Sequence, residues 1–247
     1  MRKLFYIVLF LTQFSWSQEA FEKGNNLYQK GQYQEAISVY EAILKSGQES
    51  AEVYFNLGNC YYKLNQVAPA VYNFEKALQL SPNDTEIQNN LAFAQKMTID
   101  EIQEVPKVGF SKIISDFTSS FHYDTWAWIA IAMAILFLIG FVAYYFSYNT
   151  TLKRIFFSGM IAFLLVLVIS IFAGFFEKNR IANEKPAIVF ADTLNVKSEP
   201  NLASQNAFVL HAGTKVIILE DLSNFYKIQL SDLKEGWVEK SAIKEIK

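Results

Sequence analysis

The sequence predicts a multidomain membrane protein: an all-α array of repeated helical hairpins, two transmembrane helices, then a C-terminal all-β barrel. Three observations carry this. Two long apolar runs contain no charge, the chain before them repeats itself every 34 residues, and the chain after them alternates β-branched and polar residues. The expected divisions are a signal peptide over 1–17, the repeat domain over 18–97 and a linker with an amphipathic helix over 98–125. The first span follows over 126–146, a loop over 147–154, the second span over 155–176, a linker over 177–185 and the β domain over 186–247.

The apolar runs come first because they fix the compartment of everything else. Residues 126–146 supply 21 positions and residues 155–176 another 22, with no Asp, Glu, Lys, Arg or His in either. At about 1.5 Å of rise per residue, roughly 20 such residues cross a bilayer core. Two crossings return the chain to the side it left. The chain opens with Met1-Arg2-Lys3, an apolar stretch over residues 4–11, and Ser15-Trp16-Ser17 before Gln18. That is the pattern of a secretory signal peptide, with an uncleaved anchor as the alternative. Cleavage after Ser17 leaves a mature chain that begins outside the cytoplasm. The loop between the runs carries Lys153, Arg154 and no acid, which suits the cytoplasmic side. In a host with two membranes, the expectation is a two-span protein of the inner membrane with both termini and both soluble parts periplasmic. Trp126, Trp128, Tyr144 and Tyr145 sit near the ends of the first run, where amphipathic rings favour the headgroup layer. Intramembrane ionisable groups mark transport pathways, so their absence reads as an anchor in the lipid bilayer.

Net charge is −2 for the whole chain, −6 over residues 18–104 and −1 over residues 186–247. Neither part has the basic face that a phosphate backbone requires, which excludes nucleic acid as a partner. Cys60 is the single cysteine and falls in a helical apolar pattern, where a small buried side chain is the ordinary role.

The repeat runs from Phe21 to Leu80. Gly24-Asn25 recurs as Gly58-Asn59, Tyr28 as Tyr62, Ala36 as Ala70, Tyr40 as Phe74, Glu41 as Glu75 and Leu44 as Leu78. Gly24 and Gly58 let one helix of each pair press on the other, Ala36 and Ala70 do the same from the facing helix, and Tyr40 and Phe74 fill the remaining space. Gly31 and Asn65 fall at the turns, and Pro69 suits the first turn of a helix. Ser81-Pro82-Asn83-Asp84 breaks the pattern before a third, capping helix over residues 85–97. A period of 34 with these positions resembles tetratricopeptide repeats. The resemblance implies a concave surface that holds peptides or partner proteins, with Phe21, Asn25, Tyr28, Phe55, Asn56, Asn59 and Tyr62 facing the groove. Some members grip a terminal carboxylate with Asn and Lys or Arg. Asn25 and Asn56 match that clamp, but its basic positions fall on Phe21, Glu86 and Asn90, which argues against it. Two repeats are few for independent stability, so the amphipathic segment that follows or a partner is expected to complete the stack.

After Val105-Pro106, the residues Phe110, Ile113, Ile114, Phe117 and Phe121 fall on one helical face, opposite Lys112, Ser115, Asp116 and Ser119. Such a helix either lies on the membrane surface or packs on the repeats.

From Pro186 the texture becomes that of short strands: residues 187–190, 208–210, 215–219, 225–230 and 236–238, divided by turn residues. Five strands in so short a segment predict a small barrel, because closure hides the edges. Leu194-Asn195-Val196-Lys197, Gly213-Thr214-Lys215-Val216, Tyr226-Lys227-Ile228 and Gly236-Trp237-Val238, in that order, resemble the bacterial SH3 domain. Gly236 permits a close backbone approach and Trp237 is expected inside the barrel. The resemblance implies cell-wall peptides (peptidoglycan) or partner proteins as ligands.

No catalytic constellation emerges. His122 and His211 lie in different segments, and His211 reads as an exposed loop residue. There is no G-x-S-x-G elbow, no glycine-rich phosphate loop and no metal-ligand spacing, so no cofactor or metal is expected and the chain reads as a non-enzymatic scaffold. The whole arrangement, from signal peptide to terminal SH3-like domain, resembles the BatE proteins of bacterial aerotolerance (Bat) operons. That resemblance implies an assembly factor working with von Willebrand-type and other Bat membrane proteins and a MoxR-type ATPase.

Overall fold

A computed structural model describes residues 18–102 and 109–246, which form two compact units. The expected signal peptide (1–17) and the Val105-Pro106 separator lie outside the described residues.

One unit joins the helical array to the β domain. The array consists of α1 (residues 18–29), α2 (Tyr33–Lys45), α3 (Ala51–Lys63), α4 (Val67–Leu80) and α5 (Thr85–Gln95). The 34-residue period extends to the backbone. Gly31 and Asn65 both adopt left-handed conformations, with φ of 77° and 57°, which Gly and Asn tolerate best. The amide of Gln32 donates to the Leu27 carbonyl at 3.0 Å, and that of Gln66 to Tyr61 at 2.9 Å, closing equivalent turns. Asp84 caps α5 by accepting from the Glu86 and Ile87 amides, which satisfies donors that the first helical turn leaves open.

The glycine positions act as expected. A Cβ at Gly24 would lie 2.5 Å from the Tyr40 ring, and one at Gly58 2.6 Å from the Phe74 ring. The first helix of each repeat therefore rests directly on the aromatic ring of the second. Tyr40 and Phe74 are fully buried, as are Ala36 and Ala70.

The β domain has β1 (Lys185–Val189), β2 (Thr193–Lys197), β3 (Asn206–His211), β4 (Lys215–Leu222), β5 (Phe225–Gln229), β6 (Glu235–Glu239) and β7 (Ile243–Glu245), with a 3-10 turn at Lys240–Ala242. Seven strands replace the five expected. β7 has only three residues and follows the turn directly, whereas β2 is as long as β1, β5 and β6. The sheet is antiparallel in the order β3-β2-β6-β5-β4-β1-β7. All seven strands feed one apolar cluster, from Ala187 on β1 to Ile243 on β7. The sheet therefore curls around its core, while β3 and β7 remain the ends of its hydrogen-bonded order. Gly236 meets Val196 at a distance no Cβ would tolerate, which explains that glycine. Trp237 is a correction. Its neighbours Gly236 and Val238 are the buried residues of β6, so strand alternation turns the half-buried Trp237 to the outer face.

The two modules share a core. Ile188 and Ile246 of the β domain belong to the same buried cluster as Val71, Phe74 and Ala77 of α4 and Ile87, Leu91 and Ala94 of α5. The stack that two repeats leave open is thus completed by the β domain.

The second unit contains α6 (Phe110–Thr118), α7 (Tyr123–Phe146) and α8 (Thr150–Asn183). Both α7 and α8 are long and apolar enough to cross a membrane. Asn149 caps α8, accepting from the Thr151 and Leu152 amides. Trp126 is buried, sends its indole N–H to the Thr118 carbonyl at 2.9 Å, and contacts the rings of Phe117 and Phe121. Glu177 on α8 is buried beside Arg180, which it binds through both carboxylate oxygens. The α6 face carrying Phe110 (76 % exposed) and Ile113 (65 %) has no apolar cover among the described residues.

Candidate functional site: an amide-lined groove on the helical array

The first helices α1, α3 and α5 bring three of the expected polar residues together, and a fourth joins them. Asn25 Oδ1 accepts from Asn56 Nδ2 at 2.9 Å, and Asn59 Oδ1 accepts from Asn90 Nδ2 at 3.2 Å. The second bridge is the first displaced by one repeat, since Asn59 stands 34 residues after Asn25 and Asn90 stands 34 after Asn56. Asn25 is further fixed by the Tyr40 hydroxyl, which donates to it at 2.7 Å. An amide has two donors and one carbonyl acceptor. Each bridge uses one Oδ1 and one Nδ2, so the N–H donors of Asn25 and Asn59 and the carbonyls of Asn56 and Asn90 carry no hydrogen bond of their own among the described residues. Two donor–acceptor pairs one repeat apart suit peptide groups, which also carry one of each.

The aromatic candidates divide. Phe21 packs on Tyr40 with centroids 6.0 Å apart, and Phe55 on Phe74 at 5.9 Å, so both rings are partly committed to the repeat cores. Tyr28 stands edge-on to Tyr33 at 5.3 Å. Tyr62 remains half-exposed on α3. Of the basic clamp positions, Asn90 enters the groove as an amide and Glu86 is exposed. No cation is thereby gathered there.

Cys60 is fully buried, and burial pushes its thiol up to about 12. A thiol is nucleophilic only as thiolate. Iodoacetamide should therefore leave the folded protein unmodified at neutral pH and alkylate it in guanidinium, as mass spectrometry would show. Rapid alkylation without denaturant would contradict the placement of Cys60.

A second cluster fixes the two modules to each other. Asp100 accepts from the His211 amide at 2.6 Å and the Thr214 hydroxyl at 2.6 Å, and pairs with His211 Nδ1 at 2.7 Å. Burial works to raise the Asp100 pKa, but the His211 and Thr214 hydrogen bonds outweigh it and hold the carboxyl below its usual range. His211 is thus a docking residue at the end of β3, where the sequence reads as an exposed loop. Gly213, at φ 93°, brings the β3–β4 turn so close that a Cβ would sit 2.7 Å from Val67 and 2.8 Å from Thr98. Lys215 binds Glu75 at 2.7 Å. The repeat explains the difference between Glu75 and Glu41: the earlier residue accepts from the Tyr61 hydroxyl within the array, the later one from the β domain.

Residues 21–85 match the tetratricopeptide repeat family. The array is built of tetratricopeptide repeats. Residues 192–244 match the bacterial SH3 domain. Curated relatives of the repeats include sperm-associated antigen 1 of Mus musculus, 37 % identical over 75 residues, which cover 30 % of this chain and 8 % of that protein. The Hsp70-Hsp90 organizing protein of Triticum aestivum is 33 % identical over 69 residues, 28 % of this chain and 12 % of its own length. Hsp70-Hsp90 organizing protein 1 of Glycine max is 35 % identical over 66 residues, with shares of 27 % and 12 %. The chain thus spans only about a tenth of the length of the relatives it matches. Those repeats point to protein–protein interaction, and the bacterial SH3 domain fits a cell-wall-binding role.

Proposed function

We propose that this chain is a membrane-anchored, non-enzymatic scaffold whose tetratricopeptide groove holds an extended segment of a partner protein. The observation that carries it is the pair of asparagine bridges, which offers a peptide backbone donors and acceptors at one-repeat spacing. The apolar lengths of α7 and α8 support the anchor, because exposed apolar surface of that extent calls for a lipid or protein cover. The basic loop between them and the basic, apolar start of the chain favour the cytoplasmic membrane with both soluble modules on the periplasmic side. The order of modules favours a BatE-type role, beside von Willebrand-type membrane proteins in an aerotolerance complex. Recovery of partners from solubilised membranes should fall when Asn59 and Asn90 are both replaced by Ala, whereas unchanged recovery rejects the groove. Asn25 is the poorer test, because its loss also strands the Tyr40 hydroxyl.

Topology has its own test. In a Cys60→Ser background, an impermeant maleimide applied to intact spheroplasts should label Asn201→Cys and spare Ser147→Cys. The reverse pattern would place the modules in the cytoplasm.

A second reading rests on the bacterial SH3 match: the β domain tethers the chain to the cell wall, with the outward-facing Trp237 as the contact. Sedimentation of the full chain with purified sacculi, lost in Trp237→Ala, separates this from a purely protein-binding scaffold. The excised β domain is unsuitable, since Ile188 and Ile246 are buried against the array.

A further inference from the structure

A cleft of ≈ 340 Å³ lies on the side of α3 away from the groove. Tyr54, Leu57 and Tyr61 line it, whereas Phe55, Asn59 and Tyr62 point some 100° or more around the helix, as about 3.6 residues per turn requires. Glu41 and Lys45 of α2 and Tyr72 of α4 add to the wall, and Phe190 and Lys244 close it from the β domain. It therefore exists only where the modules dock. Its size falls within the roughly 300–1,000 Å³ of small-ligand sites.

Its chemistry is asymmetric. Lys244 Nζ sits 4.1 Å from the Tyr72 centroid and 5.7 Å from that of Phe190, the two rings being edge-to-face at 5.9 Å. Burial against these rings lowers the Lys244 pKa, and Glu41 partly restores it, although much of the side chain remains open to solvent. Lys244 forms no close ion pair among the described residues; the rings of Tyr72 and Phe190 hold its cation, with Glu41 at longer range. Across the cleft, Glu41 Oε1 accepts from the Tyr61 hydroxyl at 2.9 Å, and its other oxygen is an open acceptor. Two accessible cations (Lys244 and, on α2, Lys45), a carboxylate acceptor and an aromatic wall thus surround one small volume. A monoanionic carboxylate flanked by an N–H suits both charges.

We propose that this cleft binds the carboxyl end of an amino acid or peptide, with its carboxylate on Lys244, the adjoining N–H or ammonium on Glu41, and an apolar side chain against Tyr72, Leu57 and Phe190. The site is separate from the asparagine groove and stands independently of it. Because both modules wall it, its occupant also stabilises their docked state.

Calorimetric titration of the full chain in detergent micelles tests this with three ligands: the dipeptide Ala-Phe, an N-acetylated hexapeptide ending in Phe, and the same hexapeptide amidated. Saturable binding of a free acid, weakened about tenfold or more by amidation, is the expected result. Binding of the dipeptide identifies a free amino acid or dipeptide as the source, and binding of the hexapeptide acid alone identifies a polypeptide end. Lys244→Gln should reproduce the loss and Lys244→Arg should retain binding, while Asn59→Ala with Asn90→Ala should leave it unchanged. Equal affinity for acid and amide, undiminished binding in Lys244→Gln, or no saturation by either acid up to about 10 mM would overturn the proposal.

Discussion

Replacing Phe74 with alanine will destabilise the unit formed by the repeats and the β domain by about 3–5 kcal/mol, the range for a fully buried aromatic residue. Phe74 has no exposed surface, lies against Gly58, stacks beside Phe55, and belongs to the cluster that includes Ile188 and Ile246 of the β domain. The cavity cannot close easily, because α3 rests on the ring and the β domain covers the other side of α4. The loss should therefore appear in both modules at once. Thermal unfolding followed by far-ultraviolet dichroism for the helices and by Trp237 fluorescence for the sheet should shift together. Trp237 would need to be the sole tryptophan for that measurement, with Trp16, Trp126 and Trp128 replaced by Phe. A shift in the helical signal alone would show that the shared core does not join the modules energetically.

The second large effect is expected at Asp100. Asp100→Ala removes three contacts to His211 and Thr214 and leaves a backbone amide and a hydroxyl unpartnered at a half-buried junction. Hydrogen bonds to a charged group contribute about 1.5–3 kcal/mol each, and not additively. We expect the amides of the β3–β4 turn, His211 to Thr214, to exchange far faster with solvent deuterium while those of α2 and α3 hold. Uniform protection would deny Asp100 this role. The pH dependence has a definite sign. The folded-state pKa of Asp100 is lowered, so its contribution is present above the unfolded value of about 3.9 and disappears as pH falls through the folded value. In the wild type the turn should loosen in that acid range, and the Asp100→Ala variant should lack this component.

Much of the array was legible because a repeat states each position twice. Gly24 and Gly58 imply a close approach, Tyr40 and Phe74 fill it, and Gly31 and Asn65 mark turns whose dihedral angles agree. Asn90 was within reach of the same logic: it follows Asn56 by one period, yet it reads naturally as a failed basic clamp position. The β domain was harder. Five strands announce themselves by alternation, but β7 has only three residues and owes its existence to β1, remote in sequence, and β2 is fixed by β6 as well as by its neighbour β3. Trp237 was misjudged because a large ring is ordinarily assigned to a core, whereas the face of a strand residue is set by its neighbours Gly236 and Val238. The dock had no local signal. Asp100 and His211 lie 111 positions apart, and neither sits in a pattern that names the other. Only Gly213 hinted at it, as a turn glycine whose need for close approach becomes visible in three dimensions.

The shared core also has a temporal side. The ribosome delivers the repeats first, then the two apolar helices, and only afterwards Ile188 and Ile246, which finish the hydrophobic seat on α4 and α5. At about 5–20 residues per second, that seat stays uncovered for on the order of ten seconds during synthesis. A newborn array is thus a half-finished surface, exposed to chaperones and to its own ligands before its sister module arrives. A chain cut between the second apolar helix and Ile188 would then lack both residues and leave the seat on α4 and α5 open for good.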